Sequence, residues 1–294
     1  MRVKSTLENY MFVLPAVAIF AIFYIIPFAW VFQLSLYKWN GIDLTKVFLG
    51  LGNFKEIFFQ DRYWWQAILN AGYITLIALI FQNALAFALA WACDREIRFK
   101  NFYRVIFFIP PILSEIVVGM AWHYVLSDID GANILNRMLI NTGFPQLVHS
   151  WLSDPKTALT TVAVVHCWKG FGWGFLIFLA GLQTIPRQLY EAARVDGANA
   201  WQCFKNITFP LMIPVTVLVA ILTVLGTMQA FVLIIGLVGG ELGGYTSVPV
   251  LRILASMRGS SRFGYACAQG ITFGLILVIV SFIQYRFSKR ARSA

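Results

Sequence analysis

The sequence predicts an all-α integral membrane protein of six transmembrane helices with both termini cytoplasmic, on three observations. Hydrophobic residues make up 59% of the 294 and charged residues only 12%, and the mean hydropathy of +0.72 lies far outside the soluble range. Six apolar stretches, at about 9–37, 63–93, 105–127, 157–182, 208–238 and 263–285, each reach the roughly 20 residues a spanning helix needs. Lys and Arg are unevenly placed. With the amino terminus inside, the inner segments (1–9, 93–104, 182–208 and 286–294) hold 13 of them in 57 positions, against 9 in 87 for the outer segments (38–66, 127–156 and 238–265). Topology thus accounts for the net charge of +10. No basic block with interleaved aromatics stands outside the apolar stretches, so nucleic acid is not an expected partner.

The first stretch contains Ala16-Val17-Ala18, a cleavage-like triplet, but inside the apolar run rather than after it; it reads as an uncleaved anchor. The second carries Gln82 and Asn83 near its middle. The third and fourth contain Glu115 and Lys169, the two charged residues well inside spans. Such groups cost at least about 2.5 to 3.5 kcal/mol each at the bilayer centre. Counting from Arg104 and Lys156 at about 1.5 Å per residue puts both near mid-membrane. They are expected to face the bundle interior near one another, with His166 one turn from Lys169; alternatively, Lys169 pairs with backbone carbonyls and Glu115 is protonated. Gly170, Gly172 and Gly174 read as a stripe for close helix packing. In the fifth stretch Thr227, Gln229 and Phe231 interrupt the apolar run, and 236–244 reads as a glycine-rich outer loop. Cys93, Cys167, Cys203 and Cys267 lie far apart without a ligand set, so free thiols are expected and no metal.

The loop 185–209 has a plan of its own. Pro186 suits the first turn of a helix, Leu189 to Val195 are mostly good helix formers, and Gly197 permits a turn. Trp201, Phe204 and Ile207 then recur at three-residue spacing, which puts them on one face of a second short helix. Two short helices at an angle are expected at the inner membrane surface, with an apolar stripe available to a partner.

Glu191, Ala192, Ala193, Gly197, Ile207 and Pro210 resemble the EAA loop of permease subunits of ATP-binding-cassette importers, with Phe209 where that pattern has Leu. The segment 48–54, following Leu34-Ser35-Leu36 and Trp39, is similar to the FVGLxNF segment of maltose-permease-like, binding-protein-dependent carbohydrate permeases. Phe108-Ile109-Pro110, Trp168-Lys169, 178–183 and Phe263-Gly264-Tyr265-Ala266 extend the likeness over nearly the whole chain. Gly239-Gly240-Glu241 departs from the Gly-Gly-Pro usual there. The resemblance implies one permease domain over 1–294 with type I importer architecture, in the cytoplasmic (inner) membrane of a prokaryote. It also implies a heteromeric complex: a second homologous permease, two ATPase subunits that hold the ATP and Mg, and an extracytoplasmic solute-binding protein. Glu191, Ala192, Ala193, Asp196, Gly197, Ala198, Trp201 and Phe204 would couple to an ATPase. Glu191 could otherwise serve only as a helix-start charge.

No phosphate-binding Gly-rich loop with Lys-Ser/Thr is present, so this chain is not expected to be an enzyme or to carry a cofactor. The resemblance makes an oligosaccharide the expected cargo, and recognition of its hydroxyls selects amides and aromatic faces: Gln229 and Phe231 first, then Glu115, Lys169, Asn83 and Trp168. That the same polar groups merely join helices stands beside this reading. A secondary transporter would need several intramembrane acids and inverted repeats. A membrane enzyme would need a cluster of His, Asp or Glu, which His123, His149 and His166 do not form.

Overall fold

The structure is a computed structural model that describes residues 2–95, 98–127, 133–239 and 244–293. Its helices are α1 (2–35), α2 (Gly52–Phe59), α3 (Arg62–Asp94), α4 (Lys100–Ile112), α5 (Glu115–Leu126), α6 (Ile134–Asn141), α7 (Ala158–Gln183), α8 (Arg187–Val195), α9 (Ala200–Met228), α10 (Val232–Val238), α11 (Pro249–Arg258) and α12 (Phe263–Ser293). A two-residue antiparallel ladder, β1 (Tyr37–Lys38) with β2 (Val47–Phe48), is added to the all-α plan. Among the described residues five helices are long and apolar enough to span a membrane, and α4 with α5 makes a sixth if the bent pair is one span.

Two of the six expected stretches are not straight. The third breaks at 113–114, where α4 and α5 meet at 94°. Pro110 and Pro111 lie in the last turn of α4; they donate no N–H, and Leu113 and Ser114 run extended into the next helix. The fifth breaks at Gln229–Phe231, between α9 and α10. The expected outer loop 236–244 therefore starts later: Gly236 is inside α10, and Gly240 and Glu241 lie outside the described residues.

Three spans carry a π turn, at Ala21–Ile25, Ala78–Gln82 and Phe204–Thr208. The first and third contain the residue four before a proline (Pro27 and Pro210), where a ring would otherwise strike the carbonyl of the preceding turn. The second precedes no proline, since 83–87 reads Asn-Ala-Leu-Ala-Phe.

The chain forms two compact units. In the unit of 1–62 and 252–276, the end of α1 is closed by side chains from the outer loop. Asn53, 3% exposed, donates from Nδ2 to the carbonyls of Ser35 (2.7 Å) and Tyr37 (3.0 Å), satisfying backbone acceptors that the helix leaves open. The start of α12 meets the same place: Gly264 N–H donates to Trp39 O at 3.0 Å, and a Cβ on Gly264 would collide with the Tyr37 carbonyl. Arg262 donates to both oxygens of Glu56, at 2.8 and 2.5 Å, and Tyr265 donates to Asp61 at 2.6 Å. The residues of the 48–54 segment and of Phe263–Ala266 thus share one joint.

In the unit of 63–251 and 277–294, α3, α7 and α9 pack around Phe171, Phe175 and Phe178, with Ala86, Ala90, Met212 and Val219. The glycine stripe of α7 serves several neighbours. A Cβ on Gly172 would strike the Phe107 carbonyl of α4, one on Gly174 would stand 3.1 Å from Ala86 on α3, and one on Gly181 2.9 Å from Val215 on α9. The outer halves of the two broken stretches pack on each other: a Cβ on Gly119 of α5 would lie 2.5 Å from Leu233 O, and one on Gly236 of α10 2.6 Å from Ile116 O. His123 Nδ1 adds a 2.8 Å hydrogen bond with Leu237 O.

Gly264→Ala should lower the melting temperature of the solubilised protein, because overpacking against a fixed carbonyl costs about 1–3 kcal/mol. Gly270→Ala on the same helix, with nothing within 4 Å of its Cβ, should not; equal melting of the two variants would refute the joint.

Candidate functional site

Two places gather the residues singled out from the sequence. The first is the elbow of α8 and the start of α9. Pro186 is the extended N-cap of α8, one residue before the position expected for it. The helix ends in a Schellman motif: Ala198 N–H donates to Ala193 O (2.8 Å), Gly197 N–H donates to Arg194 O (3.0 Å), and Gly197 sits at φ +80° with open space about it. Asn199 and Gln202 then form a capping box, at 2.9 and 2.7 Å, that starts α9. The second arm is therefore not a separate short helix. It is the inner end of the span itself, continuous through the π turn to Met228.

The expected apolar stripe is divided. Ile207 packs on the phenylalanine core, and Phe204 lies against Phe87 and Trp91 of α3, at ring distances of 6.2 and 5.4 Å. Trp201 stacks on Phe204 at 5.5 Å but is 67% exposed. Phe204 and Ile207 are used internally because the continuous helix carries them inward. On α8, Tyr190 packs on the core and its hydroxyl meets Thr208 Oγ1 at 2.8 Å, so one face of α8 is tied down. Glu191, Ala192, Asp196 and Gly197 are exposed, and Ala193 and Ala198 half-buried. Glu191 lies past the first helical turn, which contains no acid, so the reading of it as a helix-start charge loses its ground. Clefts of about 500 and 530 Å³ beside α8 share Asp94, Arg95, Tyr190 and Arg194.

The second place is a cavity of about 340 Å³ among α3, α7 and α9, with Glu115 at its edge. Lys169 Nζ stands 3.8 Å from Glu115 Oε1 and 3.5 Å from the carbonyl of Pro111, one of the acceptors freed where α4 stops. Both partners expected for Lys169 are thus present. Glu115 is the first residue of α5, where the helix dipole favours a carboxylate. His166, Gly170, Trp173 and Gly174 of α7 line the same cavity, facing Thr223, Gly226 and Thr227 of α9 and Gln82 of α3.

The other pathway candidates lie elsewhere. Asn83 is buried and accepts a hydrogen bond from Thr223 at 3.0 Å, and Thr75 and Thr227 bond at 2.7 Å; here polar groups join helices. Trp168 packs edge-on against Trp122 at 5.4 Å and does not line the cavity. Gln229 and Phe231 occupy the break between α9 and α10, also away from the lining. The remaining lining residues carry a signal in the sequence: 166, 169, 170, 173, 174 and 177 lie on one helical face with Lys169, and 219, 222, 223, 226 and 227 lie on another.

Comparison with known proteins agrees with this architecture. The chain is 30% identical to the probable ABC transporter permease protein YurN of Bacillus subtilis (strain 168), over 98% of both chains. It is 28% identical to the lactose transport system permease protein LacF of Rhizobium radiobacter, over 96% of each. In fold it matches a chain in the crystal structure of a bacterial ABC transporter involved in the import of the acidic polysaccharide alginate, with a TM-score of 0.80 at 23% identity over 98% of this chain and 97% of that one. The fold is that of a type I importer permease, a multi-pass membrane protein. Residues 82–293 match the family described as binding-protein-dependent transport system inner membrane component, and the chain belongs to that family.

Proposed function

We propose that this chain is one of two related permeases of an ATP-driven saccharide importer in the cytoplasmic membrane of a prokaryote. The observation that carries the proposal is the elbow: a short helix with Glu191 exposed, capped at both ends and tied to the fifth span through Tyr190 and Thr208. A group that does chemistry needs a reactive side chain in a cleft; a group that transmits force needs stiffness and attachment, and α8 has those. An ATPase subunit, holding the ATP and Mg, would receive Glu191, Ala192, Ala193, Asp196, Gly197, Ala198 and Trp201. Closure of the ATPase pair would move the elbow and, through the continuous helix α9, the wall of the cavity, so that access alternates between the two sides. Phe204 acts on the inner side of this lever, as its packing on α3 requires.

The cargo class is drawn from relatives named for lactose and from a fold neighbour named for alginate import, with a solute-binding protein delivering it from outside. Glu115, Lys169 and their cavity are assigned to the pathway. Gln229 and Phe231 are assigned to the helix break between α9 and α10.

Co-purification should recover an ATPase and a second permease with this chain; an active homodimer lacking either would end the proposal. Gly197→Pro cannot adopt φ +80°, since proline is held near −65°, and should reduce ATP-driven uptake more than tenfold while the protein still inserts into the membrane. Glu191→Lys should do the same by reversing the exposed charge. Uptake and assembly both unaffected in these variants would exclude the lever.

Glu115→Gln and Lys169→Met should each reduce uptake, and the double variant should lose less than the sum of the two, with a coupling of about 0.5–3 kcal/mol. Strict additivity would show that the pair does not act together.

A further inference from the structure

The cavity carries one polar atom that the fold leaves bare. Gln82 is 7% exposed, and its Oε1 is buried without a hydrogen-bond partner among the described residues. Native folds seldom leave a buried acceptor so, because the loss of its water is uncompensated. Two features set this amide in place. It ends the π turn Ala78–Gln82, the one of the three that no proline explains, and such turns are frequent at functional sites. Opposite it stands Gly170, where any Cβ would lie 2.6 Å from Oε1.

The rest of the wall has matching chemistry. Lys169 Nζ has three protons, and its contacts with Pro111 O and Glu115 are long, at 3.5 and 3.8 Å; donor capacity remains towards the cavity. Its charge is already answered by Glu115.

We propose that Gln82 reads the cargo: Oε1 accepts a hydrogen bond from a hydroxyl of a neutral saccharide in the cavity, while Lys169 donates to a second cargo oxygen. This rests on the reading of the cavity as part of the translocation pathway. A bare acceptor requires a donor, which a sugar hydroxyl supplies and a carboxylate or phosphate does not. An anionic cargo would meet Oε1, the Glu115 carboxylate and the Pro111 carbonyl together, with Lys169 neutralised in advance. Neutral sugars are thereby preferred over acidic ones at this point of the path.

The test uses the whole complex, with its ATPase, second permease and binding protein, in proteoliposomes. Probes are labelled lactose, maltose and maltotriose as neutral sugars, with alginate trisaccharide and sn-glycerol 3-phosphate as anions. The wild type is expected to take up a neutral probe. Gln82→Leu and Gln82→Met, which keep the volume and remove the acceptor, should lower kcat/KM for that probe about tenfold. Their melting temperature in detergent should be unchanged or higher, since nothing unpaired is left buried.

Unchanged uptake in both variants would overturn the role of Gln82 and leave the importer reading intact. A fall in melting temperature parallel to the fall in uptake would mark Gln82 as structural and also overturn it. Uptake by the wild type of the anionic probes alone would overturn the neutral preference. ATP-driven uptake of none of the probes would remove the importer reading and this proposal with it.

Discussion

A backbone that stops inside hydrocarbon must find partners for its open carbonyls, because no water is there to supply them. The break at 113–114 meets that constraint with side chains from two helices. Pro111 O, freed where α4 ends, is met by Lys169 Nζ. A lysine at that depth brings a charge, and the charge is met by Glu115, which the restart of the chain places at the positive end of α5. Bend, ion pair and cavity edge are therefore one arrangement. Replacing any member leaves another without its partner, which is how a membrane protein comes to retain two ionisable groups at such depth.

The second break obeys the same constraint by different means. The helix α10 is too short to cross a membrane, and it is held against α5 by a reciprocal approach of Gly119 and Gly236, where backbone meets backbone, and by His123 on the Leu237 carbonyl. Small residues at such contacts replace the hydrophobic drive that lipid does not provide. The outer joint of the other unit uses an amide instead: Asn53 closes the end of α1, and Gly264 lets α12 come up to it. Each break in a helix is matched by a side chain or a glycine whose place in the sequence would be hard to justify by local propensity.

The elbow stands apart in its stability logic. Its own helix of nine residues is too short to persist alone in water. It persists because Tyr190 anchors it to the core and to Thr208, and because both its ends are capped. The apolar stripe after Gly197 is used in that anchoring, with Trp201 left outside. What remains exposed on α8 is a polar face with Glu191 at its centre, suited to a protein partner rather than to lipid.

Much of this architecture is legible from residues alone. Apolar length marks the spans, basic residues give the orientation, and Glu191, Gly197 and Pro210 announce the elbow, since each of those signals is local: a run, a count, a turn. Glu115 and Lys169 stand out because charge in an apolar run is rare. Pro110-Pro111 does not by itself reveal the bend between α4 and α5, because proline is tolerated in spanning helices when neighbours compensate, and whether they do is a matter of packing. Asn83 and Gln82 are adjacent amides with equal claims in the sequence. Only the tertiary structure separates them, because a step of about a hundred degrees round the helix turns Asn83 to Thr223 and leaves the Oε1 of Gln82 facing an open cavity.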